Sequence, residues 1–309
     1  MQHLRLDGPP EVWWLANSTA VAEHLRRNGA VIIDGDGLCQ DVATFQRLAA
    51  AACGPLAKDN PEHNSIVDDP TGTINSPTPF SRTRKLLWHN ENTFARMWPR
   101  RIIFGCQEIG DGGETPTADM TAVYERLSSS ARDVLATGVT YVRRLGMDLG
   151  LDWRQVYRTT DPTAVERACE REGATWRWDE RGGILTTEQR RPAVILDPAT
   201  GRPSLTAQIL HWHPRALDEE IYDSLRLLYE PHEFPKGCRR GDGRPIPDAV
   251  IDELVEICSD LEEVVPWKAD RTIVVDNLRR SHARNPYTGV RRLLVAVGDL
   301  VDCAGLARP

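Results

Sequence analysis

No stretch of this chain approaches the roughly 20 consecutive apolar residues needed to cross a bilayer, so no membrane partner is expected. Its beginning, MQHLRLDGPPEVWW, lacks the basic-then-apolar order of a secretion signal, and the expected location is the cytoplasm. The seven cysteines are odd in number and scattered, with no Cys-x-x-Cys. That excludes a disulfide framework or a zinc knuckle and fits reduced, mostly buried thiols. Basic residues are in deficit: 38 Lys and Arg stand against 45 Asp and Glu, a net charge of −7 with both signs interspersed. Such a surface argues against a nucleic-acid partner. The Gly112-Gly113 turn lacks the Lys-Ser/Thr end of a phosphate loop. What is present is 309 residues, 40% of them hydrophobic, ample for a buried core. β-Barrels and sandwiches run to this length as one unit, so a single domain over residues 1–309 is expected.

Taken in order, Ser18 or Thr19 can cap an amphipathic helix over Val21–Arg27, Gly29 ends it, and AVIID is a short buried strand. His24 falls on the polar part of that helix. A second helix runs from Val42 to Cys53 and closes at Gly54-Pro55. Residues 57–85 are polar and rich in Pro, Asn, Ser and Thr. A loop of that length is either a lid over a site or plain surface, and nothing in the spacing of His63 makes it a ligand. PRRIIFGCQE reads as a buried strand, and Asp119 caps a helix over about Ala122–Thr137. Residues 138–210 alternate strand-like segments with one helix after Asp161-Pro162, and Trp176 and Trp178 share a core-facing strand side. His211-Trp212-His213 has a metal-ligand spacing, but no carboxylate or thiol follows it. It is read as packing or a pocket wall, with one member within reach of a substrate. A later amphipathic helix carries Ile251, Leu254, Val255 and Cys258 on one face.

The chemistry-bearing stretch is LLWHNENTFARMWPRR, residues 86–101. On an extended strand, side chains at i and i+2 share a face, so His89 and Glu91 would aim a nitrogen and an oxygen at one point. Far downstream, RTIVVDNLRRSHARNPYTGVRRLLVAV (271–297) reads as strand, turn, His282, loop and return strand, with Arg291 and Arg292 opening the return. Two histidines and one carboxylate make a facial triad, which leaves open positions on a metal and suits non-haem Fe(II) oxygenases.

With WHNENTF, GGETPTAD (112–119), GDGRPIPDAV (241–250) and DNLRRSHARNPYTGVRRLLVAVGD (276–299) in that order, the chain resembles the TauD/TfdA group of Fe(II)- and 2-oxoglutarate-dependent dioxygenases. Within it, the resemblance is to the natural-product branch typified by the syringomycin-pathway aspartyl hydroxylase, and it spans roughly Leu86 to Asp299. It implies an α+β fold with a mainly β core, a double-stranded β-helix (jelly roll) with N-terminal and inserted helices. It also implies Fe(II) on His89, Glu91 and His282, and 2-oxoglutarate held at its distal carboxylate by Thr115 and Arg291. A hydroxyl and a guanidinium are suited to a buried carboxylate. Arg292 would face the other way. The reaction implied is hydroxylation of an unactivated C–H bond in an amino acid or carrier-tethered aminoacyl group, coupled to decarboxylation of 2-oxoglutarate to succinate. Desaturation or cyclisation are alternative outcomes, and Glu91 occupies the place a halide would need for halogenation. Where other subfamilies carry a further arginine, this chain has Val295, so a substrate anion would need another cation: Arg82, Arg84, Arg279 or, first among them, Arg284. The rival readings are a non-catalytic jelly-roll binding protein and a zinc hydrolase on a cupin-like barrel.

Overall fold

The computed structural model describes residues 1–58, 71–77, 79–147, 150–180, 183–306 and 308. Most of the 57–85 lid candidate's first half, with His63, lies outside the described residues.

Two antiparallel-rich sheets face one another. The major sheet has five strands in the order Gln2–Arg5, Ala30–Asp34, Arg271–Asp276, Met97–Gly112, Tyr287–Asp302, and only the first pairing is parallel. The minor sheet is Glu263–Val265, Thr115–Asp119, Arg280–Arg284, Leu86–His89, antiparallel throughout. Strands AVIID and RTIVVD are continuous apolar runs because both faces of the major sheet are buried. One face (Val31, Ile33, Ile103, Val274, Leu294) packs on the helices Pro10–Asn28 and Val42–Cys53 through Leu25, Phe45 and Leu48. The other (Ile32, Ile102, Phe104, Ile273, Val295) turns toward the minor sheet with Val265 and Trp267. Gly105 lets the second helix sit close, since a Cβ there would lie 2.5 Å from the Phe45 ring. The minor sheet's far side is covered by the helices Met120–Arg126 and Asp248–Leu261, with Ile251, Leu254 and Cys258 buried as their spacing predicts. A third sheet, ordered Lys236–Arg240, Val139–Leu145, Leu185–Arg191, Thr175–Trp178, stands beside this core. No helix among the described residues is long and apolar enough to cross a membrane. None of the seven cysteines is in a disulfide, and six are buried.

Several elements differ from expectation. The first helix begins at Pro10, not near Ser18. Proline's fixed φ starts a helix without a side-chain cap, and the exposed Leu15 blurs the apolar stripe. The segment after Asp119 is two short helices, Met120–Arg126 and Ser129–Leu135, because Ser128 accepts from the Ala131 N–H and starts a new cap. Asp152 caps an unforeseen helix, Trp153–Tyr157.

His282 lies inside a strand, Arg280–Arg284, rather than between a turn and a loop, and is paired in register with His89. The Leu86–His89 strand ends at His89, so Glu91 sits in a turn whose next residue, Asn92, has φ +55°. That turn is held by two fully buried asparagines. The Asn277 side chain accepts from the Glu91 N–H (2.6 Å) and donates to the carbonyls of Glu91 (3.0 Å) and Pro99 (2.8 Å). Asn90 donates to the Asn277 carbonyl (2.7 Å) and accepts from the Ala207 N–H (2.8 Å). The same 276–280 segment anchors the first helix: Arg279 and Arg280 donate to the carbonyls of Arg26, Arg27 and Asn28 at its C-terminus. Cations there also complement the helix dipole.

Two outcomes follow. Asn277→Ala strands buried Glu91 backbone groups and should cost about 2–4 kcal/mol, read as a lower urea midpoint for the metal-free protein. A change within about 0.5 kcal/mol would mean that the turn holds itself. Asp119, which bonds Arg279 at 2.6 Å, is pushed up by burial but pulled further down by the Arg279 and Thr121 hydrogen bonds, to a net value below 3.8. A depressed carboxyl stabilises fully above its unfolded value and loses that contribution as pH falls through the folded one. Urea midpoints should therefore fall as the pH drops below about 4, and Asp119→Asn should flatten part of that fall.

Candidate metal and cosubstrate site

His89, Glu91 and His282 converge between the two sheets, each 9% exposed or less. The Glu91 Oε2 lies 3.9 Å from His89 Nε2 and 3.7 Å from His282 Nε2, and one donor atom from each of the three residues lies within 4.8 Å of the others. Those separations exceed hydrogen-bond length but suit three donors around a single ion. Imidazole and carboxylate donors with open positions suit iron. His89 Nδ1 is 3.0 Å from the Leu87 carbonyl, which can only accept. The proton must sit on Nδ1, leaving the Nε2 lone pair directed at the site. Burial holds His89 well below the usual imidazole value, so the ring is neutral. The Nδ1 of His282 is buried with no protein partner.

The cavity beside the triad measures about 1280 Å³. Thr115, the first residue of its strand and 2% exposed, accepts from Trp267 Nε1 at 3.0 Å, which leaves its hydroxyl proton available to donate. Arg291 also lines the cavity, its Nε bonded to the Gly113 carbonyl at 3.0 Å. Gly113 has φ +73°, and a Cβ there would come within 2.9 Å of the Arg291 side chain, so the glycine makes room for the guanidinium. Burial, then the charge of Arg284, pushes Arg291 down to about 10, which still leaves it cationic at neutral pH. Arg292 turns to solvent and pairs with Glu108 at 3.4 Å. A bulge separates this end of the strand from the regular pairing that starts at Leu293.

Arg284 faces the same cavity. Its guanidinium lies over the rings of Phe80 and Tyr287 and donates to the carbonyls of Ser81 and Arg84. It therefore ties residues 80–84 down over the site. Arg84 pairs with Asp218 and Glu220, while Arg279 points to Asp119 and the first helix and does not line the cavity.

The His-x-His pair divides as its surroundings dictate. His213 bonds the Ile246 carbonyl and the Arg215 N–H, a packing role. His211 lines the cavity, stacks on His89 with ring centroids 3.8 Å apart, and donates to the same Leu87 carbonyl. Sequence reasoning missed Asn277, Arg143 and Lys236, the last two on cavity-lining strands. None carries a motif, although the polar residue between His89 and Glu91 is a visible sign that the turn needs fastening.

The model of the taurine catabolism dioxygenase TauD, TfdA family matches residues 10–297. The chain is 25% identical over 283 residues to the dapdiamide synthesis protein DdaC of Enterobacter agglomerans, covering 91% of this chain and 85% of that protein. It is 27% identical over 229 residues to a clavaminate synthase-like protein of Arabidopsis thaliana, covering 69% and 65% respectively. Among solved structures, asparagine oxygenase in complex with Fe(II), 3-hydroxyasparagine and succinate superposes with a TM-score of 0.57 at 15% identity, over 96% of this chain and 93% of that one. A taurine dioxygenase from Burkholderia xenovorans gives 0.52 at 18% identity, over 94% and 83%. These two likenesses establish the jelly-roll fold. With the family model spanning nearly the whole chain, the protein belongs to the TauD/TfdA family and is an Fe(II)- and 2-oxoglutarate-dependent dioxygenase.

Proposed function

We propose that this enzyme, as a single domain over residues 1–309, hydroxylates an unactivated C–H bond of an amino acid, free or as a carrier-tethered aminoacyl group, in a biosynthetic pathway. The observation that carries the reading is the convergence of His89, Glu91 and His282 beside a cavity that Thr115 and Arg291 also line. The relatives named for dapdiamide synthesis and asparagine oxidation support the substrate class. Seven unpaired thiols support a cytoplasmic setting.

In this reading the three side chains hold Fe(II), and Glu91 contributes the negative charge. Thr115 and Arg291 clamp the distal carboxylate of 2-oxoglutarate, one by hydroxyl and one by guanidinium. When bound, iron and 2-oxoglutarate together supply the activation of dioxygen, with succinate and carbon dioxide released. The chain's own part is orientation and the exclusion of water. The Leu87 carbonyl fixes the His89 tautomer, the asparagine-held turn aims Glu91, and Phe104, Leu293 and Val295 give the cavity an apolar wall. Arg284 pins residues 80–84 above the site and serves as a cation for a substrate anion at that end.

The test is anaerobic reconstitution with Fe(II) and 2-oxoglutarate, reading the weak visible charge-transfer band of the chelate. The wild type should show the band and His282→Ala should not; stoichiometric iron without a band would sink the assignment of these residues. Arg291→Gln removes charge-assisted hydrogen bonds worth about 1.5–3 kcal/mol. It should weaken 2-oxoglutarate binding by about ten- to a hundredfold while iron binding persists. Unchanged 2-oxoglutarate affinity would move the anchor elsewhere.

A further inference from the structure

A short 3₁₀ helix, Ala207–His211, is fastened at both ends beside the candidate metal site. At its start the Ala207 N–H donates to the Asn90 side chain at 2.8 Å. At its end His211 Nε2 donates to the Leu87 carbonyl at 3.0 Å, and the ring stacks on His89. Ile209, 1% exposed, packs into the core behind it. A 3₁₀ helix has three residues per turn, so side chains at i and i+3 eclipse one another. Gln208 and His211 stand three apart, and both line the cavity.

Both side chains bring an acceptor to that wall. Because the Leu87 carbonyl takes the Nε2 proton, a neutral His211 ring keeps Nδ1 as an unprotonated acceptor. Neutrality follows from the stacking, since an imidazolium laid on a ring that holds a divalent ion would be repelled by it. Gln208 is 6% exposed, and its Oε1 is enclosed without a hydrogen-bond partner among the described residues. Buried carbonyl oxygens are normally paired. The last torsion of a glutamine side chain is broad, so the amide can turn its oxygen to meet a donor that enters the cavity. The two carboxylates that line the cavity among the described residues are committed elsewhere, Glu91 to the triad and Asp218 to Arg84 at 3.3 Å.

We propose that Gln208 and His211 form the amine-recognition pair of the substrate site, with Oε1 and Nδ1 each accepting a hydrogen bond from the substrate's α-ammonium group. This assignment rests on the oxygenase reading and narrows its substrate to one whose amine is free, which sets N-acylated and peptide-linked residues aside. An ammonium has three donors and no acceptor, and its hydrogen bonds are stronger than those of a neutral donor. Two sources share this chemistry: a free amino acid, and an aminoacyl group whose carboxyl is tied to a carrier as a thioester. The amine is the recognition group that the two have in common.

The experiment uses the protein loaded anaerobically with Fe(II) and saturating 2-oxoglutarate, reading the perturbation of the charge-transfer band. The probes are the proteinogenic L-amino acids and their N-acetylcysteamine thioesters, each beside its counterpart lacking the α-amino group. At least one amine-bearing probe should bind, and its amine-free counterpart should bind about tenfold more weakly or worse. The tighter of acid and thioester identifies the source. Gln208→Leu, which keeps the bulk, and His211→Phe, which keeps a stacked ring, should each weaken the amine-bearing probe about tenfold. Neither should change the amine-free one, whereas a residue that only props the site would lower both alike. Gln208→Leu should also leave the urea midpoint of the metal-free protein unchanged or raise it, because the oxygen it removes has no protein partner. Gln208→Glu keeps an acceptor and adds negative charge, so it should bind the amine-bearing probe at least as tightly as the wild type. The Gln208 variants decide the matter even where His211→Phe disturbs His89 and the band. Equal binding of amine-bearing and amine-free probes, an unaltered amine-bearing probe in Gln208→Leu, weakening of that probe by Gln208→Glu, or no response to any amine with the band intact would overturn the pair alone. Absence of the band from the wild type would overturn the parent reading with it.

Discussion

Everything at the candidate metal site depends on one buried amide lock. A strand delivers His89, and its antiparallel neighbour delivers His282, so ladder register alone sets those two residues opposite one another. Glu91 has no such guarantee, because the ladder ends before it. Its position comes from Asn277, which satisfies both backbone groups of the residue at once, and from Asn90, which ties the same turn to the start of the 207–211 segment. Because all of these amides are enclosed, no water can replace a lost partner, and the geometry of the turn is over-determined. The segment that holds Glu91 also grips the end of the first helix through Arg279 and Arg280, so the site and the helical layer share one fastening.

Electrostatics then divide the space around the triad. The proposed cosubstrate end is framed by a hydroxyl and a guanidinium brought from two sheets that face each other. At another part of the cavity, Arg143 and Lys236 from the third sheet lie over the rings of Phe94 and Trp212, which belong to turns. Val295, at a place where a further arginine would create a second charge on the major sheet, leaves that sheet's contribution apolar.

Much of this was legible in the chain itself. Apolar runs such as AVIID and RTIVVD mark strands buried on both faces, and Asp119 and Asp161 mark helix starts by a local capping rule that tertiary contacts do not override. The triad members and the Gly112-Gly113 turn were visible because their chemistry and backbone needs restrict residue type. What stayed hidden depends on distant partners. That Glu91 lies past its strand is decided by Asn277, 186 residues away. That Arg279 serves a helix end, while Arg143 faces a cavity, is decided by sheet order, which no local spacing encodes. The first helix starts earlier than a cap at Ser18 or Thr19 implies, because Pro10 opens it without any side-chain cap to mark the place.

The seven cysteines are spread through the cores of the fold rather than around the cavity. Burial pushes the thiols of Cys53 and Cys258 up to about 12 and that of Cys106 up to about 11, and it raises the others as well. The thiolate is the form that oxidants attack, and a thiol raised this far supplies almost none of it at neutral pH. An enzyme that draws dioxygen to iron generates its own corrosive surroundings. Six of the seven thiols are also enclosed, Cys106 among them on the strand paired with that of Arg291, so sulfur in this fold is kept in its less reactive, protonated form.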